Sequence, residues 1–505
     1  MADIWTQLIH FLEPKRIHTN MKALQLLTIL ICLFPTLTQG RVKMGPLHND
    51  GMVLQQNADV KIWGWTQPNR KVSVKGSWNK KRVNTRSDNN GRFEVMLKTG
   101  AGSFIPQTLE INDGDKLIIH DVLIGEVWLC SGQSNMEMPL HGFSSCPVEN
   151  SAEYIAEAGK YSGKLHLNFV SWSPSPVPAD TVTAIWKNCT PLSARDFCAV
   201  GYFLGIRLVE TLNVPVGIIN SSLGATRVEG WTPQEIVQEY RGEDLENDAV
   251  KNCDKVKPGR NVDRSLPTVF YNGMIHPLEG YTLKGFLWYQ GEANVNEPET
   301  YCERFINMVQ AWRQRWGGDP LPFYYVEICP YDYFWAKDKR TAPLLREAQH
   351  QAQELIPNMG MVCTNDLVKD YEYWAIHPCM KKEIGDRLCY WALGDTYEIP
   401  GIDYRYPEYQ SMEIKDDQVI LTFKNAESGF NRKVGVEGFE IAGTDSVWHK
   451  ASTIGVYDEN KISVKCKEVK NPLAVRYCFQ SWSPGNLKGN SGLPIIPFRT
   501  DNWPR

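Results

Sequence analysis

VLIGEVWLCSGQSNM, residues Val122–Met136, is the stretch on which the fold turns. It opens as a near-continuous apolar run, the pattern of a strand buried on both faces. It breaks at Ser131-Gly132 and presents Gln133-Ser134-Asn135 just beyond the break. A serine at the carboxyl end of a buried strand, entering a turn, stands where open α/β sheets place reactive groups. Ser134 is therefore a candidate nucleophile, with an ordinary polar turn as the alternative.

Downstream of this stretch, strand-like and helix-like segments alternate. Leu165–Val170, Val216–Asn220, Lys284–Tyr289, Phe323–Ile328 and Met359–Cys363 read as strands. Val200–Leu212, Thr300–Trp316, Thr341–Leu355 and Met380–Leu393 carry apolar residues at helical spacing. The alternation predicts an α/β domain over 122–395, a parallel sheet covered by helices. The charged, poorly periodic Gly230–Thr268 reads as an insertion over the sheet rim. Upstream, 41–121 holds short alternating runs such as Val60–Trp65 and Arg92–Met96, punctuated by Asn89-Asn-Gly91 and Asn112-Asp-Gly-Asp115. This predicts an N-terminal β-sandwich-like domain. The same rhythm returns in Gln418–Phe423, Lys461–Lys465 and Ala474–Cys478, so 396–505 is expected to form a second β-domain.

Composition narrows the function. A net charge of −4, with no basic cluster interleaved with aromatics, argues against a nucleic-acid surface. Hydrophobic content of 42% and charged content of 22% are those of an ordinary globular chain. Ala23–Phe34, ALQLLTILICLF, follows Lys22 and precedes Thr38-Gln-Gly40. It reads as a secretory signal, too short for a stable membrane span. Residues 1–40 are thus expected to be an upstream extension plus signal, with Met21 the natural start. The product is expected to be secreted or lysosomal, and a form that skips the signal to stay in the cytosol. Twelve of the 13 cysteines follow the signal, and secretion makes disulfides the expectation, with their pairing open. No pair has the close spacing of a zinc site. Asn188-Cys-Thr190 is a glycosylation sequon; Asn220-Ser-Ser222 ends an apparent buried strand and is expected to stay unmodified.

Three further segments bear on Ser134: Asn220-Ser-Ser-Leu-Gly-Ala-Thr226, Trp288-Tyr-Gln-Gly-Glu-Ala-Asn294 and Ala375-Ile-His-Pro378. In order and spacing these blocks resemble the SGNH-type hydrolases, and more closely the sialate O-acetylesterase family, from about Val122 to Leu393. Tyr271-Asn-Gly-Met-Ile275 and Glu383-Ile-Gly-Asp-Arg387 extend the likeness. The resemblance implies a flavodoxin-like sheet, ester hydrolysis through an acyl-enzyme, and no metal or organic cofactor. Such chemistry needs a nucleophile, a base and donors aimed at the oxyanion. His377 is the candidate base, because strand ends of one parallel sheet share an edge and can meet Ser134. His276, also before a proline, is the second candidate and reads as structural. The resemblance implies oxyanion donors at the N–H groups of Ser134 and Gly224 and at the side chain of Gln290. Glu292 is expected to hold its loop or to bond a substrate hydroxyl.

One departure stands out. The family pattern places aspartate three residues before the histidine, and Trp374 occupies that position. Asp366 and Asp370 are the candidates to orient the imidazole instead, and a Ser–His pair with His377 held by a backbone carbonyl is the other solution. The resemblance further implies that O-acetylated sialic acid, free or on glycoconjugates, is the partner, with the 9-O-acetyl group as the target. Its carboxylate suits an arginine fork. Arg227 is the residue to examine, against a salt bridge with Glu229. Trp231 and Trp288 fit either a sugar-lining or a core role. Another acetylated carbohydrate as substrate, or a catalytically silent glycan-binding protein, are the alternatives.

Overall fold

Residues Lys116–Gly132 form one 17-residue strand, β1, that serves two parts of the molecule. Its first half pairs antiparallel with Ser103–Asn112, and Leu123–Gly125 pair parallel with Val53–Gln55. Its second half lies at the centre of a parallel sheet. This computed structural model describes residues 42–503 apart from 80 and 257–261, so the expected signal lies outside the described residues.

The other strands of that sheet are β2 (Leu165–Val170), β3 (Ala184–Asn188), β4 (Val216–Ser222), β5 (Gly285–Tyr289), β6 (Phe323–Val326) and β7 (Met359–Val362). Their order is β3-β2-β4-β1-β5-β6-β7. All run parallel except the edge strand β3, which is antiparallel to β2. The helices that matter are α1 (Ser134–Glu137), α2 (Ala199–Leu212), α3 (Pro298–Arg315), α4 (Thr341–Leu355) and α5 (Lys381–Trp391). Gly201 of α2 lies against Cys130 and Ile218, and Gly385 of α5 against Phe203 of α2, which puts both helices on one face. On the other face Phe305 and Trp312 of α3 pack on Phe286, Trp288 and Phe323. Both faces are covered, and β5 and β6 are accordingly buried throughout.

The N-terminal strands follow the period-two pattern: in Arg92–Lys98, Phe93, Val95 and Leu97 are buried while their neighbours are exposed. Their core, however, is continuous with that of the parallel sheet. The expected boundary at 121/122 falls inside β1, where the exposed His120 and Asp121 (φ +55°) precede the buried run Val122–Gly132 while the strand itself continues. The C-terminal region behaves differently. Two four-stranded sheets enclose a separate core containing Val419, Leu421, Phe439, Ile462 and Val475.

Register sets the stage for chemistry. Gly132 stands opposite Ser222 on β4 and Tyr289 on β5. The segments that follow these three strands therefore leave the same sheet edge side by side.

Candidate active site

The chain turns at Gly132, where φ is +134° and a Cβ would lie 2.2 Å from the Tyr289 carbonyl oxygen. Only glycine fits such an approach. Gln133 then fastens the turn to the segment after β5, its Oε1 accepting from the N–H of Gly291 at 3.2 Å and of Ala293 at 3.3 Å. Ser134 follows as the first residue of α1 and is partly exposed. Its N–H is one of the helix-start donors that no intrahelical carbonyl takes.

Asn135 joins this turn to the histidine. Its fully buried amide donates through Nδ2 to Glu292 Oε1 at 2.6 Å and to the Ile376 carbonyl at 3.0 Å. Its Oδ1 accepts from Lys381 Nζ at 2.6 Å. The residue after the candidate nucleophile thus grips the residue before the candidate base. His377 packs edge-on against Phe143, ring centroids 5.2 Å apart, and its Nε2 is buried without a hydrogen-bond partner among the described residues. Burial, then the Lys381 charge, holds the ring down to about 4, so it is neutral at physiological pH. Burial likewise pulls Lys381 down to about 8.

The third converging piece is Gly224, on the turn after β4. A Cβ there would stand 3.1 Å from Ser134 Cβ, 3.0 Å from Glu137 Oε2 and 3.3 Å from Arg264 Nη1. Its N–H donates to Glu137 Oε2 at 2.6 Å, and its carbonyl accepts from Arg264 Nη1 at 2.8 Å. An oxyanion that takes the Gly224 N–H therefore replaces a carboxylate already seated there. Burial raises the Glu137 carboxyl, opposed by that N–H and by Arg264. Glu137, Arg264 and Lys381 were not singled out by sequence. Glu137 was the most accessible of them, lying three residues beyond Ser134 on the same short helix.

Several expectations need correction. The Gln290 amide is fully buried and donates to the Thr226 carbonyl at 3.0 Å and Asn294 Oδ1 at 2.8 Å. Its Oε1 accepts from Tyr301 at 3.0 Å, and both N–H groups are engaged in tying loops together. Asp366 is gripped by Arg387 through two bonds of 2.7 Å and by Lys488 at 2.6 Å. Burial works against its charge, yet those cations hold the carboxyl below its usual range. It fastens α5 to the C-terminal region and does not touch His377. Asp370 is exposed and likewise forms no bond to the ring. Arg227 is held by Glu229 at 3.2 Å, Glu243 at 2.7 Å and Glu297 at 2.9 Å. Arg304 shares the same three carboxylates. Glu292 is buried beneath Asn135, which leaves it the loop-holding role.

His276 is structural: its Nδ1 lies 2.9 Å from the Ala179 carbonyl. Trp231 and Trp288 are wholly buried core residues. Asn188 ends the edge strand β3, partly exposed, with its amide bonded to Gly163 and Ser162. All twelve cysteines from Cys130 to Cys478 are free thiols, against the expectation of disulfides. His350, Glu354 and Glu408 bring ligand atoms within 4.8 Å of one another. The Lys424 ammonium, 2.7 Å from Glu408 and 3.4 Å from Glu354, already supplies the positive charge there. A cavity of about 540 Å³ between α3, α4 and the C-terminal strands holds no nucleophile–base pair among its lining residues.

Known proteins converge on the same region. The family described as carbohydrate esterase, sialic acid-specific acetylesterase, matches residues 124–392. A crystal structure of a carbohydrate acetylesterase from Xanthomonas citri superposes with a TM-score of 0.80 at 32% identity, covering 92% of this chain and 100% of that one. The human sialate O-acetylesterase is 27% identical over 504 residues, covering 90% of this chain and 91% of its own. The mouse sialate O-acetylesterase is 28% identical over 429 residues, 73% of this chain and 76% of its own. The chain belongs to the sialic acid-specific acetylesterase family of carbohydrate esterases.

Proposed function

We propose that this protein is a serine esterase that removes O-acetyl groups, the 9-O-acetyl group first among them, from sialic acids and releases acetate. The observation that carries the reading is the Asn135 grip, which holds the Ser134 turn and the His377 segment together at one sheet edge. The Ser134 hydroxyl passes its proton to the His377 ring as Oγ attacks the acetyl carbonyl carbon. The carbonyl electron pair moves to oxygen, and the oxyanion is received by the N–H groups of Ser134 and Gly224 as Glu137 gives way. The sugar oxygen leaves with the proton from His377. Water, deprotonated by the same ring, then splits the acetyl-serine to acetate and free Ser134.

Finer features belong to the same proposal. Without β2 and β3, the five remaining strands run in the order β4-β1-β5-β6-β7, which supports a flavodoxin-like SGNH sheet. Ala23–Phe34 supports export to the cell exterior or the lysosome, with Asn188 as a glycan site. No helix of the described residues is long and apolar enough to cross a membrane.

The test is acetate release from 9-O-acetylated sialic acid by wild type and Ser134→Ala. The variant should lose about 10⁴-fold or more in kcat. Equal release from both proteins sinks the nucleophile. Wild-type turnover of an aryl acetate or an acetylated neutral sugar, with none of the sialic acid ester, moves the enzyme to another carbohydrate.

A further inference from the structure

A sialic acid brings a carboxylate to the site along with its acetyl ester, and the cations around Ser134 differ sharply in their freedom to meet it. Arg227 and Arg304 share Glu229, Glu243 and Glu297. Lys381 is fully buried beneath Asn135. Arg264 is only half-buried, and among the described residues its polar contact is a single bond from Nη1 to the Gly224 carbonyl at 2.8 Å. A guanidinium has five N–H donors in a planar fork, so most of this one is uncommitted. Glu137, the carboxylate on the same glycine, forms no ion pair with it within 4.0 Å among the described residues; its oxygen faces the Gly224 N–H instead.

Position completes the argument. Arg264 Nη1 and Ser134 Cβ lie 3.3 Å and 3.1 Å from the same point beside Gly224. The guanidinium therefore stands next to the nucleophile, within the span of one sugar. We propose that Arg264 is the specificity residue that binds the substrate carboxylate, in place of the enclosed Arg227. The proposal rests on sialic acid being the substrate class. Recognition is charge-assisted and planar, so lysine, a compact point charge, replaces the arginine only in part.

The experiment compares the O-acetylated sialic acid with its carboxyl methyl ester, in wild type, Arg264→Gln and Arg264→Lys, each checked for folding by circular dichroism. Wild type should favour the free acid. In Arg264→Gln that preference in kcat/KM should fall by about tenfold or more, chiefly through KM, as expected for a lost hydrogen bond to a charged group. Arg264→Lys should fall between the two. An equal loss on acid and methyl ester would overturn the proposal and make Arg264 only a support for Gly224. An unchanged preference would also overturn it. Wild type that cleaves neutral acetylated sugars but not the sialic acid would refute the substrate class itself, and the Arg264 assignment with it.

Discussion

Replacing Asn135 with alanine tests the central claim that one buried amide holds nucleophile and base together. The substitution deletes three hydrogen bonds: to Glu292 at 2.6 Å, to the Ile376 carbonyl at 3.0 Å and from Lys381 at 2.6 Å. Two of these involve ionic partners, worth about 1.5–3 kcal/mol each, and the third is worth about 1 kcal/mol. The total, about 4–7 kcal/mol, is a large share of the 5–15 kcal/mol that stabilises a typical fold. It also strands the Lys381 ammonium in a dry site. Asn135→Asp separates folding from alignment, because it keeps the Lys381 contact but turns a carboxylate on Glu292 and on the Ile376 carbonyl. That variant should fold, and should lose about 100-fold in kcat/KM as His377 drifts from Ser134. Urea denaturation and acetate-release kinetics read the two effects. An Asn135→Ala protein less than about 1 kcal/mol weaker and within threefold of wild-type activity refutes the reasoning.

Asp366 supplies a contrasting case. Its side chain is 3% exposed and that of Arg387 7%, so Asp366→Asn opens a buried ion pair and should cost about 3–5 kcal/mol in denaturation. The folded enzyme should keep its kcat; a loss near 10⁴-fold at unchanged stability would make Asp366 the orienter after all. The pH dependence follows from His377. A base must be neutral to accept the serine proton, and this ring protonates at about 4. Activity should stay level from neutral pH downward and fall only on approach to 4; a kcat/KM profile breaking near 6.5 would place His377 in a wetter setting.

The parallel sheet was legible because its strands are short apolar runs set between helices of clear periodicity. Thr341–Leu355 matches α4 to the residue. Helix α3 begins two residues before its expected start because Pro298 fits the first helical position, where its fixed φ suits the helix and its missing N–H is not needed. At 121/122 the sequence shows a real change, from half-exposed to wholly buried residues, but not that the backbone runs on as one strand shared between two sheets. Block order singled out Ser134, His377 and Gly224 as candidates, and the structure sets Gly224 beside Ser134 and ties the His377 segment to the Ser134 turn through Asn135. Roles that depend on which partner a polar group chooses were less legible. Gln290 and Arg227 carry the right functional groups, but neighbours far off in sequence, Tyr301 and Glu297 among them, engage both. The Arg227–Glu229 pair, two residues apart, was foreseeable from sequence; the partners Glu243 and Glu297 and the Gln290 bond to Thr226 were not.

The absent aspartate before His377 has a physical answer in this arrangement. A carboxylate in a hydrolytic triad fixes the imidazole and stabilises its charge once it takes the proton. Here the fixing falls to backbone: Asn135 pins the Ile376 carbonyl, Glu372 accepts the Cys379 N–H at 2.7 Å, and Pro378 stiffens the link between them. The charge is handled in the opposite sense, because Lys381 lies close enough to oppose protonation of the ring. Glu292 is the compensating anion, bonded to the same Asn135 that Lys381 contacts, and burial raises its carboxyl. Lys381, Asn135 and Glu292 form a hydrogen-bonded chain beside the proposed pair, Ser134 and His377. In the proposed mechanism such a site orients its base through the main chain and keeps it neutral well into acid. Loss of Asn135 is therefore expected to act on the Ser134 turn and the His377 segment together, because it follows Ser134 and its amide bonds the Ile376 carbonyl.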